Sequence, residues 1–202
     1  SIGSKLGVKV IYPEITVFPD TEQRVRIPED VAGQKVYLLK SITPPVDSAV
    51  MQLTFLVDAL NKNGADKVIG VIPYIPYMRA DHIFRTGEAV PLEVVINMIQ
   101  DSRLNEIIMV DPHSIKIPEM FKIPVHNLSA LSLFAKKIKE ITRSTPEGRT
   151  ERIERARLQA TAQTGVEKAG VDKTEITIVS PDMGGIRRLK LVGEMLGVVN
   201  QV

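Results

Sequence analysis

Apolar and polar positions along the chain follow two alternating rhythms. Short β-branched runs, GVKVI and RVRI, and a stronger KVYLLK at 35–40, predict strands. Residues 46–65, VDSAVMQLTFLVDALNKNGA, place Val50, Leu53, Leu56, Val57 and Leu60 at helical spacing, with Asp47 as the expected cap and Gly64 as the stop. KVIGVIP at 67–73 is almost wholly apolar, as in a strand covered on both faces. Residues 91–105 read as a helix with Pro91 in its favoured first turn. EIIMVDPH at 106–113 is a second buried strand ending in polar residues, and a helix is expected over 129–141. ITIVSPDMGG at 176–185 reads as strand then loop, and IRRLKLVGEML at 186–196 as helix.

Strand and helix in turn predict an α/β fold with a parallel sheet. Such sheets bind ligands beyond the carboxyl ends of their strands. The polar clusters fall there: Arg79, Asp81, His82, Arg85 and Glu88 after one strand, Asp111 and His113 after another, and the run from Asp182 to Gly185 after a third. One stretch departs from the alternation. Residues 143–175 are polar and rich in Arg, Glu, Thr and Ala, with a Glu151–Arg155 pair at i,i+4. They read as a solvated connecting helix or linker. The expected organisation is a first domain over 1–142, this polar segment, and the start of a second domain over 176–202.

Composition narrows the function. The 202 residues are 44% hydrophobic with a net charge of +2, so nothing points to nucleic acid or an anionic membrane as a partner. Cysteine is absent, which excludes disulfides and thiolate metal sites and suits a reducing compartment. No apolar run nears the roughly 18 residues of a membrane span, and the first residues lack the apolar core of a signal peptide. The expectation is a soluble, cytoplasmic protein.

Taken singly, the polar motifs are weak. FPDTE at 18–22 is turn chemistry, and DPHS at 111–114 puts an imidazole at a strand end where most histidines are structural. SPDMGG at 180–185 offers a carboxylate and open backbone N–H groups before a helix, as phosphate or metal sites do, but Gly-Gly turns are common. Their order is specific. FPDTE, then PYxPYxRxDxxFxxGE, then VDPHS with IPVxNLSA, then VSPDMGG with IRR, resembles the ribose-phosphate pyrophosphokinase family, over residues 18–141 and again from 176.

That resemblance implies a phosphoribosyltransferase-like fold, complete in the first domain and begun in the second. It implies Mg²⁺-dependent transfer of the diphosphoryl group of ATP to the 1-hydroxyl of ribose 5-phosphate, giving phosphoribosyl diphosphate and AMP. It implies that Phe18 packs on adenine with Asp20 and Glu22 nearby, from the same or a neighbouring subunit, and that Arg79 and Asp81 lie by the ATP. His113 would serve the metal–triphosphate region as a catalytic and metal residue. Asp182, Gly184 and Gly185 would hold ribose 5-phosphate, with Asp182 also at a metal. A homo-oligomer of dimers building a larger ring is implied as well. Two departures stand out. Ala80 replaces the family's usual Gln, and neither the cationic loop nor the paired aspartates with a Thr/Gly-rich 5-phosphate loop occur in this sequence. The expectation is therefore a fragment of a longer enzyme, with little turnover from these residues alone; the alternative is a non-catalytic relative that binds nucleotide or regulates a catalytic subunit.

Overall fold

Five residues, Ile2–Leu6, form a short helix (α1), and the chain then runs extended into an antiparallel hairpin of β1 (Glu14–Val17) and β2 (Gln23–Arg26). A computed structural model of the chain describes residues 2–143, 177–180 and 183–197. The hairpin register sets Glu14 opposite Arg26, and the Arg26 guanidinium donates to both carboxylate oxygens of Glu14 at 2.7 and 2.8 Å. The expected GVKVI strand does not form: Gly7 turns at φ 64°, and Val8 and Val10 stay exposed outside any sheet. β-branching favours strands only where a partner supplies the ladder. Here the partner of EITV is QRVR, and the four residues of EITV carried too little signal to be read as a strand.

The central sheet is all-parallel. It is made of β3 (Lys35–Leu39), β4 (Lys67–Val71), β5 (Glu106–Val110) and β6 (Val125–Leu128), adjacent in that order. Helix α2 (Val46–Lys62) joins β3 to β4, and α3 (Pro91–Asp101) joins β4 to β5. A short 3₁₀ turn at Ile117–Met120 lies between β5 and β6. β4 is covered on both faces as its apolar run requires: Val68, Ile69 and Gly70 are all buried. α2 turns Val50, Leu53, Leu56, Val57 and Leu60 inward, and α3 adds Leu92, Val95, Ile96 and Ile99. Each such side chain contributes about 1.5–3 kcal/mol by leaving water, so this core fixes where the strand ends point.

Asp47 is not the cap of α2. The N-cap position is Pro45, no side chain caps the helix, and Asp47 stands in the first turn with another partner. α3 stops four residues short of the expected end, where the Ser102 hydroxyl donates to the Ile99 carbonyl at 2.6 Å. Gln100 is the buried polar group among the described residues. Its amide oxygen accepts from the Lys122 N–H at 2.9 Å and its nitrogen donates to Asn97 at 2.9 Å, tying α3 to the segment before β6.

The chain divides into two compact units, Ser1–Leu128 and Ser129–Val202. In the second, α4 (Leu131–Arg143) packs against α5 (Ile186–Leu196). α5 buries Leu189, Val192 and Gly193 and ends at Gly197, whose φ of 72° is the usual left-handed helix stop. Of the strand expected from 176, the described residues 177–180 form only a single bridge, at Ile178. Most of the 143–175 segment lies outside the described residues.

Candidate functional site

Beyond β4 the chain leaves the sheet as PYIPYMRADHIFRTGEAV before entering α3. Its first part is anchored. Ile72 donates to the Ile108 carbonyl of β5 at 2.8 Å, Ile42 donates to Tyr74 at 3.1 Å, and Ile75 is fully buried. Tyr77 then adopts φ 62°, a left-handed backbone that bulky L-residues rarely take. Its carbonyl accepts from the Ala80 N–H at 2.8 Å, and the Ala80 carbonyl in turn accepts from Leu92 at 3.3 Å. Arg79 and Asp81 flank Ala80, so both are carried by a short hydrogen-bonded bracket between the sheet and α3.

The rest of the loop closes on Glu88. One of its carboxylate oxygens accepts the N–H groups of Phe84 and Arg85, at 3.1 and 2.9 Å. Gly87 supplies the left-handed turn, φ 92°, that brings Glu88 back. His82 and Phe84 stand ring against ring, with centroids 4.1 Å apart.

Asp81 has the most defined electrostatics here. The Nδ1 of His82 is 2.7 Å from its Oδ1. That hydrogen bond, with the nearby charges of His82 and His113, holds the Asp81 carboxyl below the usual carboxylate range. His113 reaches the same neighbourhood from the end of β5. Asp111 takes φ 43°, a conformation short polar side chains tolerate; its N–H bonds the Leu128 carbonyl at 3.0 Å. Pro112 is buried and His113 emerges exposed. The sheet thus brings Asp81 and His113, thirty-two positions apart in the sequence, into electrostatic reach of one another. Arg79 is exposed on the same loop.

Phe18, Asp20 and Glu22 form the tip of the β1–β2 hairpin, and their described contacts are local. Phe18 N–H bonds Glu22 at 2.8 Å, Glu22 N–H bonds the Asp20 carboxylate at 3.1 Å, and Thr21 takes φ 72°. Arg24 lies over the Phe18 ring at 5.8 Å. Gly184 and Gly185 belong to the second unit, in a 3₁₀ turn, Met183–Gly185, that leads into α5. Asp182 lies outside the described residues.

Two groups at the strand ends escaped the sequence. Lys40, just past β3, is partly buried, and that burial holds its ammonium below the ordinary lysine value; its backbone N–H bonds the Val71 carbonyl at 3.0 Å. A lysine closing a strand has no distinctive pattern. The second group is the Tyr77–Asp47 pair, whose oxygens are 2.6 Å apart. Both residues stood in motifs, but only folding shows that α2 starts beside this loop.

Comparison with known proteins converges on one family. A family model described as the N-terminal domain of ribose phosphate pyrophosphokinase matches residues 1–102. The ribose-phosphate pyrophosphokinase of Thermotoga maritima is 30% identical over 97% of this chain and 54% of its own length. That of Fusobacterium nucleatum is 29% identical over 96% of this chain and 53% of its own. The chain thus spans about half the length of the curated relatives it matches. The crystal structure of phosphoribosylpyrophosphate synthetase from Mycobacterium smegmatis superposes with a TM-score of 0.78 at 24% identity, covering 99% of this chain and 57% of that one. That likeness shows the fold: mixed α/β and phosphoribosyltransferase-like, around a parallel sheet.

Proposed function

The chain belongs to the ribose-phosphate pyrophosphokinase family, and from that premise we propose that it serves the transfer of a diphosphoryl group from ATP to the 1-hydroxyl of ribose 5-phosphate. The observation that carries the reading is the placement of Arg79, Asp81 and His113 just past the carboxyl ends of adjacent parallel strands, β4 and β5. Open α/β sheets place ligands there. Phosphoryl chemistry asks mainly for positioning and charge stabilisation. In this reading the Arg79 guanidinium binds phosphate oxygens, and Phe18 at the hairpin tip packs against adenine with Asp20 and Glu22 beside it. Gly184 and Gly185, with Asp182, receive ribose 5-phosphate.

Mg²⁺ belongs to the same proposal. Among the described residues, no group of three or more His, Asp or Glu side chains is placed to hold a metal. Mg²⁺ takes one or two protein ligands and fills its shell with phosphate oxygens and water. His113, with the ionised Asp81 as its neighbour, is the residue of the first unit that would face it, and Asp182 would serve a second ion on the ribose 5-phosphate side. When bound, the ion would neutralise charge on the phosphate oxygens. The protein's own part is to present Arg79 toward the phosphates and hold Asp81 anionic at neutral pH.

Homo-oligomerisation and a cytoplasmic setting are part of the proposal. The first is supported by the exposed Ile15, Val17 and Phe18 of the hairpin, the second by the family's place in nucleotide metabolism. Among the described residues no helix is long and apolar enough to cross a membrane. The test is AMP release from ATP in the presence of ribose 5-phosphate and Mg²⁺, beside calorimetric binding of Mg·ATP. Binding that needs Arg79 supports the nucleotide site, and its absence in the wild-type chain overturns it. Binding without AMP release favours the non-catalytic reading.

A further inference from the structure

We propose that Tyr77 and Asp47 form a latch that positions Arg79 and Asp81 for nucleotide, an inference that rests on the nucleotide-binding reading above. The Tyr77 hydroxyl donates to the Asp47 carboxylate across 2.6 Å, from the loop after β4 to the first turn of α2. The carboxylate raises the tyrosine pKa above its ordinary value, as expected where the hydroxyl donates to an anion. The ring of Tyr77 packs on the hydrophobic core, which fixes the direction of the hydroxyl.

The backbone supplies the second observation. Tyr77 holds φ 62°, a conformation that costs of order 1–3 kcal/mol for such a residue and persists only where its surroundings impose it. The left-handed turn aims the Tyr77 carbonyl at the Ala80 N–H, at 2.8 Å. Without it the chain would continue away from α3, and the Leu92 N–H would lose the Ala80 carbonyl it bonds at 3.3 Å. Asp47 is not a cap for the helix: α2 has no side-chain cap, and its N-cap position is a proline. The one carboxylate in the first turn of α2 is spent on the loop that carries Arg79 and Asp81. Tyr77 and Asp47 are positioning residues, since they act through Arg79 and Asp81.

The test compares Tyr77→Phe, Asp47→Ala, Asp47→Asn and the double variant Tyr77→Phe/Asp47→Ala in the whole chain. Calorimetry gives Mg·ATP affinity and thermal unfolding gives Tm. Tyr77→Phe and Asp47→Ala should each raise Kd about three- to tenfold, the reach of one hydrogen bond. The double variant should go no further than either, and Asp47→Asn should restore affinity because its amide oxygen still accepts. Multiplying effects, or a lowered Tm with unchanged Kd, would overturn the latch. Amide exchange at Ala80 and Leu92 reads the latch without nucleotide: Tyr77→Phe should speed exchange there and leave the middle of α2 unchanged. Unaltered exchange overturns the proposal. If Arg79→Ala weakens binding and Tyr77→Phe does not, the latch alone fails. If the wild-type chain does not bind Mg·ATP, the nucleotide reading fails while exchange still decides whether the latch exists.

Discussion

At the amino ends of the strands Glu106 sits between Lys67 and His126; at the carboxyl ends Asp81 sits beside His82 and within the field of His113. Both carboxylates are held below their usual range, Glu106 first by its hydrogen bond with Lys67 and Asp81 first by that with His82. The settings differ. Lys67, Glu106 and His126 belong to three neighbouring strands, β4, β5 and β6, so their charges cross the ladder and tie it together. Asp81 and His82 are sequence neighbours on a loop, and their pairing binds no second element. A carboxylate with basic neighbours therefore braces the sheet at one end and stays anionic in an accessible place at the other.

If that contrast is right, substitutions at the two ends should separate binding from stability. The largest effect is expected from Arg79→Ala, which should weaken Mg·ATP binding by about 1.5–3 kcal/mol, the scale of a charge-assisted hydrogen bond, with little change in Tm. Unchanged calorimetric affinity would remove Arg79 from the site. Gln100→Leu, in the last turn of α3, is the control for stability alone. It removes the part-buried hydrogen bond from the Lys122 N–H to Gln100, at a cost of about 0.5–1.5 kcal/mol, seen in urea unfolding, while affinity for nucleotide should hold. A parallel loss of affinity would show that the loop responds to any loosening of the core.

Next in size is a pH effect at the amino ends. Glu106 has a folded pKa below its unfolded one, so its contribution is fully present above the unfolded value, about 4.3, and is lost as pH falls through the folded value. Urea unfolding of wild type and Glu106→Gln should differ at pH 7 and draw together as the solution is acidified. A gap that stays constant down to pH 3 would mean that the charge of Glu106 does not brace the strands. The smallest effect is expected from His113→Ala, a change in preference: Mg·ATP affinity should fall while adenosine affinity changes less, because the proposed site sets His113 at the phosphate end. Equal losses for both ligands would place His113 at the base instead.

The sequence by itself determined the parallel α/β frame. Apolar runs such as KVIGVIP can satisfy burial on two faces only as an inner strand, and the 3.6-residue stripe of α2 has one face to bury. It also placed Arg79, Asp81 and His113 just past the strands, since polar residues cannot continue a buried run. The ordered motifs were enough to name the family. Short exposed strands were beyond it: β1 and β6 are four residues each, mostly exposed, and depend on a partner rather than on their own pattern. Contacts across sequence distance were decided by tertiary structure alone. Asp47 reads locally as a helix cap, yet Tyr77 is thirty positions away and becomes its partner only because β4 returns beside the start of α2. Glu106 likewise reads as an ordinary strand terminus until the parallel register sets Lys67 and His126 on either side of it. Periodicity encodes which face a residue takes; which residue it meets there depends on how the elements close on one another.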